Sequence, residues 1–210
     1  MGELALHEAL YSLRAMRRLK PDPVPESDLR YLVDAATQAL SGENRQRWSF
    51  VVINEPEARR RVAEIYRDLG RTFIGEAFLD RDDLPDHERR IYRNANRLSE
   101  RMREVPAFIL VCVRGEPPVE PVQAATYWGS IFPAIQNLML AARSRGLGTT
   151  LTTLHKIREG EVKAALGIPD EVETVALIPV GFPEGEWGQP RREPSASVTH
   201  WNRWGNQPVD

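Results

Sequence analysis

Ser41-Gly42-Glu43-Asn44-Arg45-Gln46-Arg47-Trp48-Ser49-Phe50 runs directly into Val51-Val52-Ile53. A glycine, two amides, two guanidiniums and a tryptophan thus stand between an apolar helical segment and a short β-branched run. Loops held by rigid neighbours carry sites more often than the elements they join, and Asn44 and Gln46 can both donate and accept hydrogen bonds to a flat polar ligand. The same stretch also reads as a solvated turn, and it does not decide between these on its own.

Upstream, residues 26–40 place Leu29, Leu32, Val33, Ala36 and Leu40 on one helical stripe that leads into the loop. Before them, Pro21-Asp22-Pro23-Val24-Pro25 forbids helix and forces an extended connection. The basic cluster Arg14-Ala15-Met16-Arg17-Arg18-Leu19-Lys20 therefore stands at the end of a first amphipathic helix over about residues 3–13. Such a cluster suits either a helix C-terminus or an anion.

Downstream, residues 50–53 read as a buried strand and residues 57–69 as a helix. Residues 70–104 look least like a packed core. They read as a surface excursion, with a loop through Asp80-Arg81-Asp82-Asp83-Leu84-Pro85-Asp86, a helix over 87–103 and a lid-like role at the edge of a site. A strand over 107–113 follows. The longest helical signal, 121–145, carries Ala125, Trp128, Ile131, Phe132, Ile135, Leu138, Met139 and Ala142 over more than one face, as expected of a central helix or one at a subunit interface. Gly146-Leu147-Gly148 supplies its stop, a β-branched segment occupies 149–154, and a helix (159–166) and a strand (172–181) complete the alternation. The tail, 182–210, has no periodicity but carries Arg191-Arg192 and, near its end, Trp201 and Trp204, so it is expected to wrap over its own subunit or a partner. One domain over residues 1–210 suits this length.

The chain has 28 Lys+Arg, 30 Asp+Glu and a formal net charge of −2, a balance that argues against a general nucleic-acid partner. No apolar run is long enough to span a membrane and the first residues lack the regions of a signal peptide, so the expected location is cytoplasmic. The single cysteine, Cys112, lies within Phe108-Ile109-Leu110-Val111-Cys112-Val113 and reads as a small core hydrophobe in a reducing compartment. His7, His87, His155 and His200 lack ligand spacing, so no metal is indicated. No Gly-x-Ser-x-Gly elbow or Walker sequence is present, and Gly146-Leu147-Gly148 follows a helix instead of opening one. What remains is the amide loop and two arginine clusters distant in sequence. Guanidiniums suit a phosphate and amides suit the rim of a heterocycle, so together they suggest a phosphorylated ring cofactor.

In order, these pieces resemble the FMN-dependent nitroreductase family: the arginine segment ahead of Lys20-Pro21-Asp22-Pro23-Val24-Pro25, the loop 41–50, the stretch from Pro133 to Gly148, and the stretch from Leu166 to Pro183. The resemblance implies an α+β fold, a mixed sheet flanked by helices, with the long central helix at the interface of a homodimer that holds FMN. It implies that Arg14, Ala15 and Arg17 hold the phosphate and ribityl end, joined by Arg191 or Arg192. It places Asn44 and Gln46 beside the flavin, Thr152, Thr153 and Leu154 at its redox edge, and Ser130, Ile131 and Pro133 along its ring face. Ala15 stands where many members carry serine. The implied activity passes hydride from NADH or NADPH through FMN to a small oxidised acceptor such as a nitroaromatic or quinone, with the flavin carrying the chemistry and no catalytic acid or base in the protein. Flavin cleavage, reductive dehalogenation and simple FMN sequestration share the same resemblance.

Overall fold

Strand β2 (Ala107–Arg114) is the axis of the structure, a computed structural model that describes residues 4–79, 81 and 83–207. Successive side chains of a strand point to opposite faces. Ala107, Ile109, Val111 and Val113 accordingly enter one apolar core, and Phe108, Leu110 and Cys112 enter another. Both faces are covered, which is why the run is continuously apolar. Each fully buried Leu, Ile or Phe contributes roughly 1.5–3 kcal/mol.

β1 (Trp48–Ile53) and β4 (Val172–Gly181) flank β2, and the two-residue β3 (Gly148–Thr149) pairs with β4, giving the order β1-β2-β4-β3. Every pairing among these strands is antiparallel, so the expected mixed sheet is antiparallel throughout the described residues. Within a chain, antiparallel neighbours need no crossover helix of fixed hand. A bulge between Val111 and Cys112 leaves Val175 without an opposite residue, and Val175 and Ala176 both turn into the same core.

One face of the sheet is covered by α2 (Glu26–Thr37) and α5 (Pro121–Ser144), the other by α3 (Pro56–Gly70), α4 (Asp86–Glu100) and α6 (Glu159–Leu166). α1 (Leu6–Ser12) lies against α5. The α+β class with helices around one sheet is as the sequence predicts. α5 is the central scaffold: Ile131, Ala134, Ile135, Leu138 and Ala142 are buried, although Pro133 removes one backbone donor from its interior. Glu55 caps α3, its carboxylate accepting from the Glu57 and Ala58 amides at 3.0 and 2.7 Å.

Two stretches differ from expectation. The helix of α3 does not stop at residue 70 but widens into π-helical turns over Arg71–Leu79. Of the β-branched segment 149–154, only Thr149 belongs to a strand; Thr152 makes an isolated bridge to Leu177, and a 3-10 helix begins at Leu154. On its own chain the tail packs at its start. Trp187 reaches the second core, whereas residues 191–199 and 201–207 are exposed, Trp204 at 91%.

No helix among the described residues is long and apolar enough to cross a membrane. Cys112 is buried, and burial first of all pushes its thiol up to about 12, so it stays protonated and inert.

Candidate functional site

The loop ahead of β1 is held in an unusual backbone. Glu43, Asn44 and Gln46 all have positive φ, 53°, 53° and 46°. Each such non-glycine residue costs on the order of 1–3 kcal/mol and persists only where its surroundings over-determine it. Those surroundings are visible. The Gly42 amide donates to Ser130 Oγ at 3.0 Å, and that hydroxyl donates to the Thr126 carbonyl at 2.7 Å. The Gln46 amide donates to Ser41 Oγ at 3.2 Å, Arg114 donates from Nη2 to the Gln46 carbonyl at 3.0 Å, and the Arg114 amide donates to the Arg47 carbonyl at 2.9 Å. At the tip, the Gln46 side-chain amide donates to Asn44 Oδ1 at 2.8 Å, presenting both amides as one exposed unit. The loop and α5 enclose a cavity of about 260 Å³ lined by Gly42, Gln46, Thr126, Tyr127, Ser130 and Ile131 among others. Pro133 lies one turn further along α5, exposed.

The arginine segment lies elsewhere. The Met16 amide donates to the Thr149 carbonyl at 2.8 Å, the Lys20 amide to the Phe182 carbonyl at 2.7 Å, and the Glu184 amide to the Arg18 carbonyl at 3.0 Å. Residues 14–20 are thus stitched between β3 and the start of the tail. Arg14, Ala15, Arg17 and Arg18 line a cavity of about 530 Å³ together with Arg90, Arg93 and Asn94 of α4. Arg14 also donates to the Glu186 carbonyl at 3.0 Å. Arg17 is half-buried and has no ion-pair partner among the described residues; burial pushes its guanidinium below the ordinary value, an effect the nearby Tyr66 partly offsets. Tyr66, on α3, shares a 2.8 Å hydrogen bond with Thr152 Oγ1, and burial raises its phenol. Arg17, Tyr66 and Thr152 therefore form one group. Thr153 is exposed, and the Leu154 amide donates to Thr152 Oγ1 at 3.4 Å.

The structure therefore brings residues 14–18 together with 149–154 and brings the amide loop together with Ser130 and Ile131. It does not bring these two groups into one cavity within a chain. Arg191 lines a third cavity with Arg90 and Arg93, while Arg192 turns its guanidinium onto the Arg191 carbonyl at 2.9 Å. Tyr66, Arg90, Arg93 and Asn94 were not expected from sequence. Tyr66 reads as one more apolar position of an amphipathic helix, and the α4 arginines read as a solvated face. Their only signal is basic residues at 90 and 93, three apart on one side of a helix.

An α+β layer around a four-stranded sheet, with a basic cavity at one place and a strained amide loop at another, defines the class. The sequence profile of the nitroreductase family matches residues 11–182, and the chain belongs to that family. It is 30% identical over 192 residues to a 5,6-dimethylbenzimidazole synthase of Rhodospirillum rubrum, covering 89% of this chain and 86% of that one. To an NADH dehydrogenase of Thermus thermophilus it is 27% identical over 200 residues, covering 90% and 91%. The crystal structure of an oxidised iodotyrosine deiodinase bound to FMN and 3-iodo-L-tyrosine superposes with a TM-score of 0.73 at 22% identity, covering 95% of this chain and 100% of that one, which is a likeness of fold.

Proposed function

We propose that this protein is an FMN-dependent oxidoreductase that acts as a homodimer, taking electrons from NADH or NADPH and delivering them to a small oxidised acceptor such as a nitroaromatic or quinone. The observation that carries this reading is Arg17: a half-buried guanidinium without a carboxylate partner among the described residues, in a cavity whose polar lining is otherwise arginines and one amide, Asn94. A buried cation of this kind calls for an anion. The donor set fits a phosphate monoester, since guanidiniums give paired charge-assisted bonds to its oxygens.

FMN supplies reversible two-electron chemistry when bound. Arg14 and Arg17 hold its phosphate, the small side chain of Ala15 leaves that stretch of backbone open, and Arg191 adds charge from the tail. Thr152, oriented by Tyr66, fixes the turn from which Thr153 and Leu154 approach the ring. Gln46, Ser130 and Ile131 line the other cavity, with Asn44 hydrogen-bonded to Gln46 and Pro133 one turn further along α5, so they serve the same flavin from a second copy of the chain. The exposed Trp201 and Trp204 and the exposed Val122 and Phe132 of α5 offer apolar surface for such a contact. The lone buried thiol suits a reducing, cytoplasmic setting.

The test is anaerobic reduction of the purified, flavin-loaded protein. Loss of visible flavin absorbance on adding NADH or NADPH, restored by a nitroaromatic or quinone, is the expected result. Bound flavin that neither nicotinamide reduces would contradict the reading. An acceptor panel that includes a halotyrosine and dioxygen separates it from dehalogenation and flavin cleavage.

A further inference from the structure

We infer that Arg90 and Arg93 of α4 form an anion subsite for the second reactant, separate from the cofactor phosphate, and that this reactant carries its own carboxylate or phosphate monoester. The inference rests on the flavin reading above and extends it to substrate class.

The two arginines sit three residues apart, on one side of the helix, both exposed, and neither has an ion-pair partner among the described residues. They form the wall between two cavities. On one side lie Arg14, Arg17 and Arg18; on the other lie Arg89 and Arg191 with Asp86 and His87. Like charges at this spacing on a helix repel, and the surrounding cations add to that repulsion. A cofactor phosphate carries roughly −1.5 to −2 at neutral pH, which Arg14 and Arg17 already offset. Arg18 lies beside the Glu184 carboxylate, whose pKa is lowered chiefly by Arg101 and also by Arg18. Arg90 and Arg93 are then left with Asp86 as the single carboxylate among the described residues lining their cavity, an excess of positive charge around open space of about 390 Å³. That arrangement favours a further anion, which could be the 2′-phosphate of NADPH or an acidic group on the acceptor. The shared chemistry is the same for both.

The experiment uses FMN-loaded protein and the variants Arg90→Gln, Arg93→Gln and the pair combined. Calorimetry compares adenosine 2′,5′-bisphosphate with 5′-AMP, and 4-nitrobenzoate with nitrobenzene. In the wild type, at least one charged probe is expected to bind about tenfold or more tighter than its counterpart, with the double variant losing that preference while keeping its FMN affinity. Preference for the bisphosphate assigns the subsite to the donor, and preference for nitrobenzoate assigns it to the acceptor. Equal affinity within both pairs would overturn the inference. So would loss of FMN affinity in the α4 variants as large as in Arg14→Gln and Arg17→Gln, because the arginines would then belong to the cofactor. If the wild type takes up no FMN, the oxidoreductase reading fails; titration of the flavin-free protein with inorganic phosphate then decides the subsite, weaker binding in the double variant supporting it and unchanged binding overturning it.

Discussion

Gly42 lies so close to Thr126 that a Cβ on the glycine would overlap the threonine Cγ2. This contact seats the amide loop on α5 and keeps the Gly42 amide within reach of Ser130 Oγ. A β-branched side chain on a helix has little rotamer freedom with which to move aside. Gly42→Ala is therefore expected to destabilise the fold by about 1–3 kcal/mol and to weaken FMN binding. Thr126→Ser in the same background removes the offending methyl, keeps the hydroxyl that donates to the Val122 carbonyl, and should restore most of both losses. Urea midpoints and flavin titration of the two variants check this; an unaltered Gly42→Ala protein would show that the contact is not tight.

Gly70 and Ser99 repeat the relation on the other face of the sheet. A Cβ at Gly70 would overlap Ser99, which is fully buried where α3 meets α4. Gly70→Ala should cost about 1–3 kcal/mol. Because the strain pushes α4 outward, proteolysis should cut residues 71–101 sooner than in the wild type. Ser99→Gly combined with Gly70→Ala should reverse the faster cleavage.

Arg143, on α5, ties α1 and the tail to one guanidinium. Its Nε donates to Ser12 Oγ at 2.8 Å, its Nη2 lies 3.4 Å from Glu8 Oε1, and its Cζ sits 4.3 Å from the centre of the Trp187 ring. The Glu8 partner is 58% exposed and adds little. The buried hydrogen bond and the ring contact dominate, so Arg143→Ala should lose about 1–3 kcal/mol and leave Ser12 without its donor. Arg143→Lys keeps the charge but not the planar fork and should fall between. Thermal melts and Trp187 fluorescence report the two parts.

Acid should weaken the protein in two stages. His155 is buried; its Nε2 meets Thr174 Oγ1 at 3.1 Å, and burial, followed by the Lys156 charge, lowers its pKa to about 4. Glu159 would be raised by burial, but hydrogen bonds from Lys156 and from the Thr174 hydroxyl and amide outweigh this and bring it to about 2. Both folded values lie below the unfolded ones. The unfolded chain therefore binds the extra proton, and stability falls as pH falls: first between about 6.5 and 4 through His155, then between about 4.5 and 2 through Glu159. The first stage is on the order of 3 kcal/mol; the second is smaller, because water screens the partly exposed pairing of Glu159 with Lys156. His155→Gln should abolish the first stage and keep the second, as read from denaturant midpoints across pH.

Much of this architecture is written in local patterns. β2 is legible because its apolar run is short and β-branched, and α2 because Leu29, Leu32 and Ala36 recur at helical spacing and are all buried. Pro21, Pro23 and Pro25 fix the extended connection by covalent geometry. The loop's backbone is not legible. Gly42 suggests itself as the left-handed residue, yet the glycine is there for its close approach to Thr126, and Glu43, Asn44 and Gln46 take the positive φ values. The π-helical turns over Arg71–Leu79 are also silent, since no residue pattern marks a widened helix. That the arginine segment and the amide loop line separate cavities of one chain is not legible either, because sequence order carries no information about which cavity a segment lines.

Whether one flavin is shared by two copies is decided by mixing. A copy carrying Arg14→Gln and Arg17→Gln loses the phosphate end, and a copy carrying Asn44→Ala and Gln46→Ala loses the amide loop. Alone, each variant has both of its sites damaged. Joined as a doubly tagged heterodimer, they leave one site with both alterations and one site with neither. The heterodimer should bind one FMN per pair and turn over at about half the wild-type rate. A heterodimer no better than the average of the two variants would contradict a flavin site built from both copies.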